Sequence, residues 1–184
     1  MKHIFPLLSL FLCISIIHAQ DTRIISSDVQ KGWKTFTDTN YTIQYPPEWE
    51  LNQSGLMGSS FILFQPLESS DDLFRENVNL LIQDVSGYNL DLNQFANLSE
   101  SQVKTMITNS TLIESKRIKS GPEEYHRMIY TGDQGTYHLK FVQYYWVKEE
   151  KAFVLTFTSE QDKYEVNKET GNMILNSFAF KGRL

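Results

Sequence analysis

Two neighbouring segments near the C-terminal end, Tyr137 to Val147 and Ala152 to Thr158, are apolar at odd and even positions alike. On the first, one face would carry Tyr137, Leu139, Phe141 and Tyr145, and the other Val142, Tyr144 and Trp146. On the second, Phe153, Leu155 and Phe157 oppose Ala152 and Val154. Side chains alternate across a strand, so a strand that is apolar on both faces has to be covered on both. The link Lys148-Glu-Glu-Lys151 suits a tight hairpin, which makes the pair antiparallel. A sheet containing these strands is therefore a middle layer.

The rest of the chain supplies the covering elements. Tyr41, Ile43 and Tyr45 alternate with Thr42 and Gln44, as in a half-buried strand near an edge. Pro46-Pro47 ends it, and Trp49 is expected to fold back over the core. Asn52 to Ser60 reads as a turn around Gly55 and Gly58, and Phe61 to Gln65 as a strand. Pro66 to Asp72 is polar loop, and Asn77 to Asp84 is a further strand. The period then lengthens: Phe95, Leu98, Val103, Met106 and Ile107 predict a helix to about Asn109, capped by Asp91 or Asn93. Strands resume at Thr111 to Ile118 and Glu123 to Thr131, with a hairpin turn at Gly132-Asp-Gln-Gly135. A second helix from Gln161 to Ser177 carries Tyr164, Ile174 and Phe178 on one side. Its Gly171 costs up to ~1 kcal/mol of helix propensity, which predicts a close neighbour there or a late helix start. The fold class is α+β, an antiparallel β-sheet flanked by helices in an α-β-α sandwich.

Upstream, Lys2 and the apolar run from Ile4 to Ile17 lead to His18-Ala19-Gln20, the pattern of a secretory signal peptide cut after Ala19. About 14 apolar residues make only ~21 Å of helix against a ~30 Å hydrocarbon core, so no transmembrane segment is expected in the mature form. Lipidation at Cys13 is the competing reading, weakened by Leu12 before it and by the apolar residues after it. The expected organisation is a signal at residues 1–19, an N-terminal arm at 20–34 and one domain at 35–184. Cleavage removes the only cysteine and leaves His126 and His138 as the remaining histidines. Thiolate chemistry and disulfides then fall away. With 17 basic residues against 22 acidic, the net charge of −5 argues against nucleic acid as a partner.

Reactive constellations are sparse. Were the Gly132 hairpin symmetric about Gln134, His126 and His138 would stand four positions, or about 13 Å, apart, too far to share a metal ion. In Glu123-Glu124 the neighbours point to opposite faces, and Glu149-Glu150 sits at a hairpin tip between lysines. Asp71-Asp72 lies in a loop without the pattern of a calcium hand. There is no G-x-S-x-G elbow, and Gly55-Leu-Met-Gly58 has no basic neighbours to clamp a phosphate. No catalytic, cofactor-binding or metal-binding residue is assigned and no cofactor is expected. Candidate partner-contact residues are Leu56 and Met57 at the loop tip, and Tyr144 and Trp146. For those two rings a place in the core competes with a place on the surface.

Tyr41-Thr-Ile-Gln-Tyr-Pro-Pro-Glu-Trp49 resembles the opening of PsbP-like and DcrB-like domains. The resemblance continues through Asn77-Val-Asn-Leu-Leu-Ile82, the middle helix, the Tyr144 to Thr158 hairpin and the closing Ile174-Leu-Asn-Ser-Phe178. It covers about Thr35 to Phe180 and implies an α-β-α sandwich that binds other macromolecules, with no shared catalytic residues. The expectation is an exported, non-catalytic binding or accessory protein of the bacterial envelope, periplasmic or secreted, with a protein partner. Its alternatives are a chaperone-like module sheltering an apolar client segment and, further off, a hydrolase or small-molecule enzyme.

Overall fold

The computed structural model describes residues 30–120 and 123–182. The expected signal peptide, its cleavage site and most of the expected arm lie outside the described residues. In chain order the elements are β1 (Lys34–Thr37), β2 (Tyr41–Tyr45), β3 (Glu50–Asn52), a 3-10 turn (Leu56–Gly58), β4 (Ser59–Phe64) and β5 (Asn77–Asp84). There follow α1 (Leu92–Met106), β6 (Thr108–Ser120), β7 (Glu123–Gln134), β8 (Tyr137–Lys148), β9 (Lys151–Glu160), α2 (Tyr164–Asn176) and β10 (Ala179–Phe180). Seven strands form one antiparallel sheet in the order β3-β4-β5-β9-β8-β7-β6. A second, smaller sheet has the order β1-β2-β10.

The central strand of the large sheet is β9, which is buried without a break from Ala152 to Ser159. Its register with β8 sets Phe153 against Trp146, Leu155 against Tyr144 and Phe157 against Val142. That row faces Tyr164, Ile174 and Leu175 of α2 and Tyr41, Ile43 and Tyr45 of β2. On the opposite face Ala152, Val154, Tyr145, Met128 and Tyr130 pack against Phe95 and Val103 of α1. The two-sided strands are thus the middle layer, and the α-β-α sandwich stands. One cover is composite, because α2 shares its face with the small sheet.

Several local readings need revision. β2 is half-buried as expected, yet it is the centre of its own sheet rather than an edge of the large one. The strands flanking it, β1 and β10, are four and two residues long, too short to carry a period. The β7–β8 turn falls at Gly135-Thr136, with Gln134 opposite Tyr137, and Gly132 lies inside β7. Gly132 is glycine because a Cβ there would stand 2.3 Å from the Ile107 side chain, which leaves the loop role to Gly135. Asp91 caps α1 in a reciprocal box with Gln94, both bonds at 2.8 Å, so Asn93 is not the cap. The helix stops at Met106, and Ile107 turns extended to feed β6 directly. Between β8 and β9 both Glu149 (φ 47°) and Glu150 (φ 57°) are left-handed, as a two-residue hairpin demands. α2 begins at Tyr164, later than the apolar pattern suggests. Among the described residues no helix is long and apolar enough to cross a membrane.

Candidate functional site

The β3–β4 hairpin ends in a tip whose backbone is left-handed at Gly55 (φ 78°), Met57 (φ 54°) and Gly58 (φ 75°). Glycine adopts that conformation freely; methionine does so at a cost on the order of 1 kcal/mol. Ser59 clamps the turn by donating its hydroxyl to the Leu56 carbonyl at 2.6 Å, and the Gly58 N–H donates to the Gly55 carbonyl at 2.9 Å. The result presents two apolar side chains to water, Leu56 at 47% and Met57 at 78% exposure.

Tyr144 and Trp146 are placed otherwise. They are exposed to 3% and 5%, inside the cluster between the large sheet, α2 and the small sheet. The Tyr144 hydroxyl donates to Asn176 Oδ1 at 3.0 Å, and Trp146 packs on Phe178 with ring centres 5.1 Å apart. Both rings point to the α2 face, where the cover is complete, so they are core and not partner surface.

The two histidines are farther apart than a symmetric turn implies. His126 lies opposite Tyr145 and His138 opposite Asp133, seven register positions apart along the hairpin, or roughly 23 Å. His138 Nδ1 is 2.6 Å from Asp133 Oδ1, and Asn109 donates to the other oxygen of that carboxylate at 2.6 Å. These bonds, Asn109 first, hold Asp133 below the usual carboxylate range. His126 Nε2 is 2.8 Å from the Ser115 hydroxyl, and burial, then the Arg117 charge, push its pKa down. Glu100 is held below its ordinary range by Lys104 and next by the Ser115 hydroxyl. Serine and imidazole match a nucleophile–base pair in distance alone. Beyond that bond nothing among the described residues completes the constellation: neither the hollow lined by Trp49 nor the one lined by His138 reaches Ser115.

Sequence reading missed the most densely charged cluster among the described residues, because its members are separated by up to 95 positions in the chain. Lys163 Nζ lies 2.8 Å from Glu160, 2.9 Å from Asp72 and 4.0 Å from Glu68, which ties the loop between β4 and β5 to the start of α2. Glu160 and then Asp72 raise the lysine, and the Lys163 bond holds Asp72 down. Beneath them Glu76 is 1% exposed and accepts only long bonds, 3.3 Å from the Ser159 hydroxyl and 3.4 Å from the Glu160 N–H. Burial raises its carboxyl above the ordinary value of 4.5. A raised acid stabilises the fold fully below the unfolded value, and that contribution is lost as pH rises through the folded one. Glu76→Gln, neutral at every pH, is therefore expected to raise the urea midpoint at pH 7 and to leave it nearly unchanged near pH 3. A gain confined to low pH would contradict the assignment.

Two open hollows lie among the described residues. One, of about 330 Å³, lies among Trp49, Pro66, Glu68, Asn167 and Thr170; the other, of about 530 Å³, among Tyr137, His138, Glu160 and Asp162. The second unites an imidazole with carboxylates, but Glu160 is engaged by Lys163 and His138 by Asp133.

No family model matches the sequence, nor does any curated protein. Solved structures do. The chain is similar to cyanobacterial PsbP (CyanoP) from Synechocystis sp. PCC 6803, at 14% identity and TM-score 0.57 over 82% of this chain and 93% of that one. PA94 from Pseudomonas aeruginosa, a protein of unknown function, aligns at 9% identity and TM-score 0.59 over 82% and 98%. LpqN, involved in cell envelope biogenesis of Mycobacterium tuberculosis, aligns at 10% identity and TM-score 0.58 over 82% and 91%. At such identities the likeness is one of architecture and carries no residue-level function. What these strands, helices and superpositions establish together is that the chain has the PsbP-like fold, as its opening strand-Pro-Trp pattern and element order imply.

Proposed function

We propose that this chain is an exported, non-catalytic accessory protein of a bacterial envelope, and that it docks onto a protein partner through the Leu56–Met57 tip. The observation that carries the reading is Met57 itself. The hairpin tip explains why the residue is at the surface, but not why a left-handed position there holds methionine rather than glycine or asparagine; an apolar side chain kept in water at that cost is one available for a contact. The envelope setting is supported by the export pattern of the first 19 residues and by the likeness to LpqN, whose role is in the envelope. Sheltering an apolar client segment would need an apolar groove. Among the described residues, of the large apolar side chains that are exposed, only Leu67 lines either of these hollows, which favours docking by a tip.

A photoreactive methionine analogue at position 57, in cells that express the full chain, is expected to yield one adduct of defined mass. Leu56→Ser should abolish that adduct. Met57→Gly is expected to keep or raise the melting temperature, since glycine relieves about 1 kcal/mol of strain, while the partner is lost. No adduct, or an adduct indifferent to Leu56→Ser, overturns the reading.

A further inference from the structure

β6 ends the large sheet, and among the described residues no backbone group outside the β6–β7 ladder bonds to it. Its first half is irregular: the register shifts between Thr108 and Thr111 and again between Leu112 and Glu114, bulges that spoil an edge for pairing. The second half is different. From Glu114 opposite Ile129 to Ser120 opposite Glu123 the register runs without a break, so alternate N–H and C=O groups of residues 114–120 face outward at regular strand spacing.

That run carries Lys116, Arg117 and Lys119 against a single carboxylate, Glu114, on a chain whose net charge is −5. A second copy pairing edge to edge would bring these cations together, so self-association is disfavoured. The two faces also differ. Ser115 bonds His126 and Arg117 bonds Asn93 of α1, which places residues 115, 117 and 119 on the α1 side. Ile118 lies opposite Tyr125, whose ring packs on Tyr144 at 4.5 Å on the α2 side. Among the described residues Lys119 has no carboxylate within 4 Å, and Arg117 reaches Glu124 only at 3.9 Å.

We infer that residues 114–120 of β6 accept an added strand: an extended, acidic segment of a partner protein with Asp or Glu at alternate positions and apolar residues between them. Main-chain bonds continue the sheet, the acids meet Arg117 and Lys119 on the α1 side, and on the other face an apolar residue packs on Ile118 and Tyr125, beside the Glu114–Lys116 ion pair at 2.8 Å. The inference rests on the reading of the chain as a docking protein, but it uses a surface separate from the tip.

The test is titration of a ten-residue peptide of alternating glutamate and valine into the isotope-labelled full chain, read by amide shifts. Shifts are expected to concentrate at residues 114–120, with affinity falling about tenfold between low salt and about 0.5 M salt. A peptide N-methylated at alternate residues should not bind, and Lys119→Gln, at an exposed position, should weaken binding several-fold with the melting temperature unchanged. Shifts mapping elsewhere, equal binding of the N-methylated peptide, equal binding of a lysine-valine peptide, a dimer formed through β6, or no shifts at all would each overturn the inference. None of those outcomes touches the adduct expected at Met57, so the two readings fail separately.

Discussion

Trp146→Ala is expected to cost about 3–5 kcal/mol of folding stability. The ring lies between the large sheet and β10, with Phe178 at 5.1 Å, Tyr125 at 5.4 Å and Phe180 at 5.7 Å between ring centres. β10 is two residues long and is held by Ala179 opposite Thr42 and Phe180 opposite Tyr41. Its other support is aromatic: Phe180 stands edge-on to Trp146, to Phe153 at 5.0 Å and to Phe178 at 5.1 Å. Removing the indole leaves a hole those rings cannot all fill, so β10 should loosen and the C-terminal end become sensitive to protease at denaturant concentrations where the rest stays folded. Trp146→Phe, which keeps an aromatic ring in place, should cost less than half as much. Urea unfolding decides between core and surface roles. A loss below about 1 kcal/mol, accompanied by loss of a partner, would return Trp146 to the surface.

The middle layer of this fold was legible because β8 and β9 are apolar on both faces, a pattern with few alternative solutions. The order of the longer strands and of the two helices was legible too, as was a cap at either Asp91 or Asn93, since each depends on neighbours a few residues away. What could not be read was whatever depends on register or on distant segments. The partition of strands into two sheets turns on β1 and β10, which are stabilised by β2 and by aromatic packing rather than by any pattern of their own. A glycine pair suggested the wrong turn, because Gly132 answers to Ile107 across the sheet. Among candidate contact residues, Leu56 and Met57 reached the surface because a hairpin tip has nowhere else to go. Tyr144 and Trp146 were ambiguous on a two-sided strand, and the cover supplied by α2 and β10 decided them. The cluster around Lys163 left no local trace, since charge pairs between remote segments impose no spacing on the chain.

Gly171→Ala is expected to destabilise the chain by about 2 kcal/mol, although the same exchange in an exposed helix would stabilise it by ~1 kcal/mol. A Cβ at this position would stand 2.5 Å from Cδ1 and Cε1 of Phe157 and 2.6 Å from Cζ, well inside contact distance. The ring has no retreat. Phe157 is fully buried on the central strand, flanked in register by Val78 of β5 and Val142 of β8, both buried. The strain has to be met by lifting α2 from the sheet or by forcing the ring off its rotamer, and either exceeds the propensity gain. Phe157→Leu alone should also destabilise, by leaving part of the ring's volume empty. Together the two changes should be less harmful than their sum, because the added methyl fills space the ring has vacated. A coupling energy on the order of 1 kcal/mol in that double-mutant cycle is the signature of direct contact between helix backbone and ring. Strict additivity, or a Gly171→Ala variant more stable than the parent, would mean that α2 sits farther from β9 than the geometry places it.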